Sequence, residues 1–199
     1  MRAPAWQVAL VCGGLVFACT SPRERLYTLS GAEPPAAVTP PTLHVLVGPV
    51  TSPEAVDRPQ LVVRYNTVRL VALEQERWAE PLREAIPRVL SEVIGSKLPS
   101  ASVTRFAAGP AARWDVRLIV NVARFEAIPG ERVIIETHWW LRATDDKTVP
   151  EGNSVARVTV QGGPQDYDAI VAAEATGLAE IGAELARVIE SQAARSATP

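Results

Sequence analysis

Two cysteines, two histidines and a few adjacent carboxylates are the residues of this chain whose types and spacing could do chemistry. Cys19 stands in "LVFACTS", after an apolar run and before a polar cluster. It admits four uses: a core thiol, half of a disulfide with Cys12, a reactive thiol, or a point of covalent modification. Its surroundings decide between them. Arg2 gives a short positive start, and Ala5 to Ala18 is apolar except for Gln7. A run of that length is short for a bilayer span but matches the core of a signal peptide. Thr20 to Arg25 then turns polar at once, which argues against burial of Cys19. Cys12 lies inside the apolar run, in a segment expected to be removed.

Ala18 is the small residue a signal peptidase needs before its cut, with Val16 and Leu15 further upstream. The leader resembles a lipobox, although Phe17 is bulkier than the usual occupant of its position. Cys19 is therefore read as the lipidated first residue of the mature chain. Several acyl chains on one residue anchor stably, since each buried CH₂ contributes about 0.8 kcal/mol. An acylated Cys19 leaves no free thiol, which suits an oxidising periplasm. Thr20 stands where an Asp would favour retention at the inner membrane, so the expected location is the periplasmic face of the outer membrane.

The other reactive residue types point to little chemistry. His44 and His138 each fall in a strand-like run without a second ligand at metal-binding spacing, so no metal is expected. Gly-x-Ser-x-Gly, Walker A and Gly-x-Gly-x-x-Gly patterns do not occur. "QGGP" at 161–164 precedes a helical run, but Pro164 removes an amide donor and Asp166 and Asp168 add negative charge, so it reads as a turn. Asp145-Asp146 belongs to a hairpin loop. These patterns predict a protein without cofactor and without catalysis. A net charge of −2 over 199 residues offers no electrostatic footprint for nucleic acid.

The elements that would position any site alternate in period. "RLYTLS" and "TLHVLVGPV" read as strands separated by the Pro-rich "GAEPPAAVTPPT". "QLVVRYNTVRLVAL" reads as a hairpin turning at Tyr65-Asn66-Thr67. Trp78, Leu82, Ile86, Val89, Leu90, Val93 and Ile94 then recur at helical spacing, and Pro87 predicts a kink or a start nearer that residue. Four more strands follow, "SVTRFA", "RWDVRLIVNVARFEA", "ERVIIETHWWLRAT" and "SVARVTVQ", with turns at Ile128–Glu131 and Asp145–Lys147. A last helix spans about 166–192, capped by Asp166 or Asp168 and carrying Gly177 and Gly182 for close packing. The expected fold is α+β: a mostly antiparallel sheet with two main helices packed on one face. The expected division is signal peptide 1–18, lipidated terminus and tether 19–25, one periplasmic domain 26–192, and a disordered tail 193–199.

Two central stretches, "VGPVTSPEAVDRPQLVVR" and "RWAEPLREAIPRVLSEVI", together with Tyr27-Thr28-Leu29 and the "ARFEAIPGERVIIETHWWL" hairpin, carry a family resemblance. The chain resembles the ABC-type transport auxiliary lipoproteins, the PqiC-like or YmbA-like group. Leu26 departs from a Tyr common in that family, and Ile128–Glu131 replaces a more glycine-rich turn. The resemblance implies a non-catalytic outer-membrane lipoprotein that works with an MCE-domain protein, and in some systems an ABC permease, in lipid movement between membranes. It also makes a homo-oligomeric ring plausible. An alternative is a lipoprotein that itself binds a lipid or other apolar ligand. Asp57, Arg58, Pro59, Gln60 and Trp78 are the candidate scaffold or partner-contact residues, with a local Asp57–Arg58 pair expected to hold the turn. Trp139 and Trp140 must face opposite sides of their strand, so one is a candidate aromatic contact.

Overall fold

The structure, a computed structural model, describes residues 23–31, 33, 40–106, 113–144 and 150–196. Cys12, Cys19, the leader 1–18, most of the Pro-rich loop and the Asp145–Lys147 turn lie outside the described residues. The elements follow in the order expected. Strands β1 (Arg25–Tyr27), β2 (Leu43–Thr51), β3 (Gln60–Arg64) and β4 (Leu70–Trp78) precede helix α1 (Leu82–Lys97). Strands β5 (Ala101–Arg105), β6 (Val116–Ile128), β7 (Arg132–Ala143) and β8 (Glu151–Thr159) precede helix α2 (Tyr167–Ser196). No helix among the described residues is long and apolar enough to cross a membrane.

The pairing of the strands corrects the expected fold class. Among the described residues eight strands form one mixed sheet, and four of its seven pairings are parallel: β1 with β4, β2 with β5, β2 with β6, and β3 with β6. Only the β3–β4 hairpin and the β6–β7–β8 meander run antiparallel. The sheet is therefore not mostly antiparallel. The physical reason is locality: a short turn between two runs specifies a hairpin, whereas the parallel pairs join residues as distant in sequence as Leu43 and Ala101. Strand β6 organises the whole. One of its edges pairs with β7 along its length, while the other carries β2 at Val116–Asn121 and β3 at Ala127.

Alternation then fixes the core. Val116, Leu118, Val120 and Val122 of β6 and Val133, Ile135, Thr137, Trp139 and Leu141 of β7 are all buried. Against them lie the apolar stripes of α1 (Leu82, Ile86, Val89, Leu90, Ile94) and α2 (Ile170, Leu178, Ile181, Leu185, Ile189). Each such side chain contributes roughly 1.5–3 kcal/mol on full burial. The two helices touch closely at Gly182, where a Cβ would meet Val93 Cγ1 at 2.8 Å. Helix α1 begins at Leu82 and runs on through Pro87, so the later start allowed by the sequence is not taken. Helix α2 continues to Ser196, into the segment 193–196 expected as tail.

The opposite face of the sheet is charged. Arg64 of β3 pairs with Glu126 of β6, which also pairs with Arg124 at 2.7 Å; Arg124 and Arg157 in turn reach Glu136 of β7 at 3.5 and 3.7 Å. This ladder crosses four strands. Arg64 first, then Arg124, hold the Glu126 carboxyl below the usual range against the opposing effect of burial.

Candidate functional site

Four of the five residues singled out in the central motifs come together in the structure. Asp57, Arg58 and Pro59, from the loop between β2 and β3, and Trp78, the last residue of β4, line one cleft of about 240 Å³. Ala79, Glu80, Pro81 and Arg83 close its other side. Gln60 lies outside it; its side chain turns to Glu74 at 3.5 Å. The loop is seated by backbone bonds, with the Trp78 amide donating to the Pro59 carbonyl at 2.7 Å and the Ala79 amide to Tyr27 at 2.8 Å. Pro59 fixes its own φ and so narrows the conformations open to the loop that presents this carbonyl.

Asp57 does something other than the expected local pairing with Arg58. Helix α1 begins after Pro81, which has no side-chain group to cap the first turn. Asp57 supplies the cap from the neighbouring loop: its Oδ1 accepts from the Arg83 amide at 3.3 Å, and its Oδ2 lies 3.5 Å from the Arg83 guanidinium. A carboxylate there also meets the positive end of the helix dipole. Arg58 is left exposed at the rim, with no ion-pair or side-chain hydrogen-bond partner among the described residues. The cleft thus has a buried indole beneath, two prolines at its walls and one unneutralised guanidinium at its lip. Such a surface suits an apolar or proline-bearing segment carrying a carboxylate, held by contact and by charge.

The elements that carry this cleft are braced by two charge clusters that periodicity in the sequence does not mark. Arg88 of α1 pairs with Glu80 and Glu92 and donates to the Leu29 carbonyl at 2.8 Å, tying the chain after β1 to the helix. Glu76 of β4, buried, accepts from Arg25 Nε at 3.1 Å and from the Tyr27 hydroxyl at 2.8 Å, tying β1 to β4. Charged residues at strand positions otherwise facing solvent gave no hint of burial. The available signal was Tyr27 two residues from Arg25, a same-face pair that needs an acceptor.

The two candidate indoles separate as strand geometry requires. Trp139 enters the core, its Nε1 donating to Ser154 Oγ at 3.1 Å, and it packs so closely on Gly152 that a Cβ there would lie 2.5 Å from Cζ2. Trp140 is half-buried on the other face, its ring 4.3 Å from that of His138. They form no joint surface with the Trp78 cleft. At 161–166 the chain turns into α2, with Asp166 Oδ1 accepting from the Ala169 amide at 3.0 Å as its N-cap. The "QGGP" segment is thus a capped turn.

With this geometry in place, the comparisons with known proteins are decisive at the level of family. The model of the ABC-type transport auxiliary lipoprotein component matches residues 27–186. The chain belongs to this family. Two solved structures share its fold: an uncharacterized protein, 23% identical, with TM-score 0.70, covering 84% of this chain and 99% of the other; and a Xanthomonas campestris protein, 20% identical, with TM-score 0.68, covering 86% and 99%. At these identities the likeness is one of fold. No curated protein sequence matches the chain. As a member of this lipoprotein family it is an envelope protein attached to a membrane, and an auxiliary component of ABC-type transport.

Proposed function

We propose that the protein is a non-catalytic, lipid-anchored auxiliary component of an intermembrane lipid transport system, held by acylated Cys19 at the periplasmic face of the outer membrane and engaged with an MCE-domain protein. The observation that carries this reading is the family match over residues 27–186, directly downstream of a lipobox-like leader. The cleft over Trp78 supports a role in contact. Four motif residues converge on it, and Arg58 at its rim is unneutralised. Its volume of about 240 Å³ favours partner contact over enclosure of a lipid, because sites that enclose small molecules typically occupy about 300–1,000 Å³.

The test has two parts. Mass spectrometry of the mature N-terminus should find a triacylated Cys19, and an unmodified cysteine overturns the anchoring. The full anchored chain, extracted in detergent, should then co-purify with an MCE-domain protein. Arg58→Glu should abolish that recovery without altering thermal stability, since Arg58 supports no other group. Undiminished recovery with the variant removes the cleft as the contact.

A further inference from the structure

The β3–β4 hairpin ends in a tip whose composition is unlike the rest of the surface. Val68 is 90% exposed and Tyr65 66%, with Leu70 also exposed beside them. The turn is rigid: Asn66 Oδ1 accepts from the Val68 amide at 3.0 Å and the Arg69 amide at 2.9 Å, and the Tyr65 amide donates to Arg69 at 2.9 Å. Arg69 lies over the Tyr65 ring at 3.9 Å and has no carboxylate partner among the described residues. The β6–β7 turn sits at the same end, because Val63 of β3 pairs with Ala127 of β6, and it adds the exposed Arg132, whose guanidinium lies 3.8 Å from the Glu131 carboxylate. An aliphatic residue, an aromatic with a polar tip and the unpaired guanidinium of Arg69 together fit the boundary between headgroups and acyl chains.

The direction of the chain says what this tip meets. Strand β1 runs parallel to the end of β4, and β4 runs antiparallel to β3, which points toward the tip. Tracing back from Arg25, the chain therefore comes from the tip side. Glu24 is still held along β4 by Arg77 at 2.9 Å. Leu26 pairs with Arg77, which pairs with Gln60, and Arg64 at the other end of β3 pairs with Leu70. The level of Leu26 thus lies four β3 residues, about 13 Å, short of Leu70. Seven residues from Cys19 to Leu26 reach at most about 24 Å when extended. The tether is long enough to let the tip touch the surface that holds the anchor and too short to turn the far end of the domain toward it, since a reversal would consume most of its residues.

Resting on the anchored reading above, we infer that the hairpin tip Tyr65–Leu70 is a second membrane contact, with Val68 and Tyr65 entering the interface of a phospholipid bilayer and Arg69 meeting its phosphates. The anchor and the tip together fix the orientation of the domain and leave the Trp78 cleft clear of the surface.

The experiment uses the full acylated protein reconstituted in phosphatidylethanolamine/phosphatidylglycerol vesicles. Val68→Cys and, separately, Lys97→Cys each carry a nitrobenzoxadiazole label. Lys97 is exposed at the end of α1, beside the start of β5, which lies level with the far end of β6. Spin-labelled phospholipids should quench the label at 68 several-fold more strongly than the label at 97, with a blue shift only at 68. Equal quenching at both positions overturns the inference, as does a blue shift at 68 that follows protein density and ignores the spin-labelled lipid, the signature of contact with a second copy or another protein. Flotation of the protein with the vesicles separates the two readings. Protein that floats without quenching at 68 retains its anchor and loses the tip contact; protein that does not float overturns both.

Discussion

Among the described residues two carboxylates, Glu76 and Glu174, are buried, and they are treated in opposite ways. Glu76, 5% exposed, stands between two donors, the guanidinium of Arg25 and the hydroxyl of Tyr27. Arg25 also lies over the ring of Tyr167, 5.8 Å from its centroid, so the same group links β1, β4 and the first residue of α2. Glu174, 1% exposed within α2, has an Oε2 with no partner. Burial alone pushes its carboxyl up to about 8. The first carboxylate converts its desolvation into a fastening for the strand that follows the tether. The second is a buried acid with an unpartnered oxygen, held at a cost to the fold. Burial of a charged residue type therefore carries no single meaning; the donors around it decide.

The largest effect expected from this contrast is on stability against pH. Glu174 holds its proton in the native state up to about pH 8, whereas in the unfolded chain it releases it near the ordinary value of 4.5. Between those values the native state binds more protons than the unfolded one, so stability falls as pH rises and levels off above about pH 8. At about 1.4 kcal/mol per pH unit, the loss across the window is on the order of a few kcal/mol. Urea unfolding of the mature chain at a series of pH values measures it, and Glu174→Gln should remove most of the slope. A wild-type curve that is flat through the window means the carboxyl has a donor, and the contrast with Glu76 disappears.

Glu76→Ala comes next. It leaves the Tyr27 hydroxyl buried without an acceptor and frees Arg25, and an orphaned buried hydroxyl costs about 1–3 kcal/mol. Hydrogen exchange should localise the loss, with the amides of β1 and of Trp78 and Ala79 losing protection before those of β6 and β7. Glu76→Gln keeps an acceptor for Tyr27 and should cost less. Uniform loss across the sheet would show that the site supports the global fold and does not specifically fasten β1.

How much of this was legible in the sequence follows the range of the interactions. The β3–β4 and β6–β7 hairpins were legible, because Asn66 and the Pro129-Gly130 turn encode them within a few residues. The α2 stripe and the α1 stripe from Leu82 onward were legible from period alone, but the same period also took in Trp78, which ends β4 because the hairpin with β3 runs on to that residue. The parallel partners of β2 were not, since nothing near Leu43 in sequence names Ala101 or Val116. At the candidate site, the motif picked out Asp57, Arg58, Pro59 and Trp78, but gave Asp57 the wrong partner. Its true partner, Arg83, lies across a chain reversal that only the docking of the β2–β3 loop on α1 creates. The buried carboxylates were invisible for the same reason: Glu76 stands in the polar run Glu74-Gln75-Glu76-Arg77, and the helical stripe did not require Glu174.

The smallest effect isolates one bond within the satisfied cluster. Burial first, and then the hydrogen bond to Glu76, push the Tyr27 hydroxyl well above the ordinary tyrosine range. Tyr27→Phe removes the hydroxyl and keeps the ring, which is buried against the core. It should cost about 0.5–1.5 kcal/mol, the usual net contribution of one hydrogen bond. In the Glu76→Ala background the same substitution should cost almost nothing, or stabilise slightly, because it then deletes an orphan. Chemical denaturation of the four chains gives the coupling as a double-mutant cycle. Equal costs in both backgrounds would mean that the Tyr27 bond contributes nothing and that Arg25 alone holds the buried carboxylate. Glu76 would then stand much closer to Glu174 than its two donors imply.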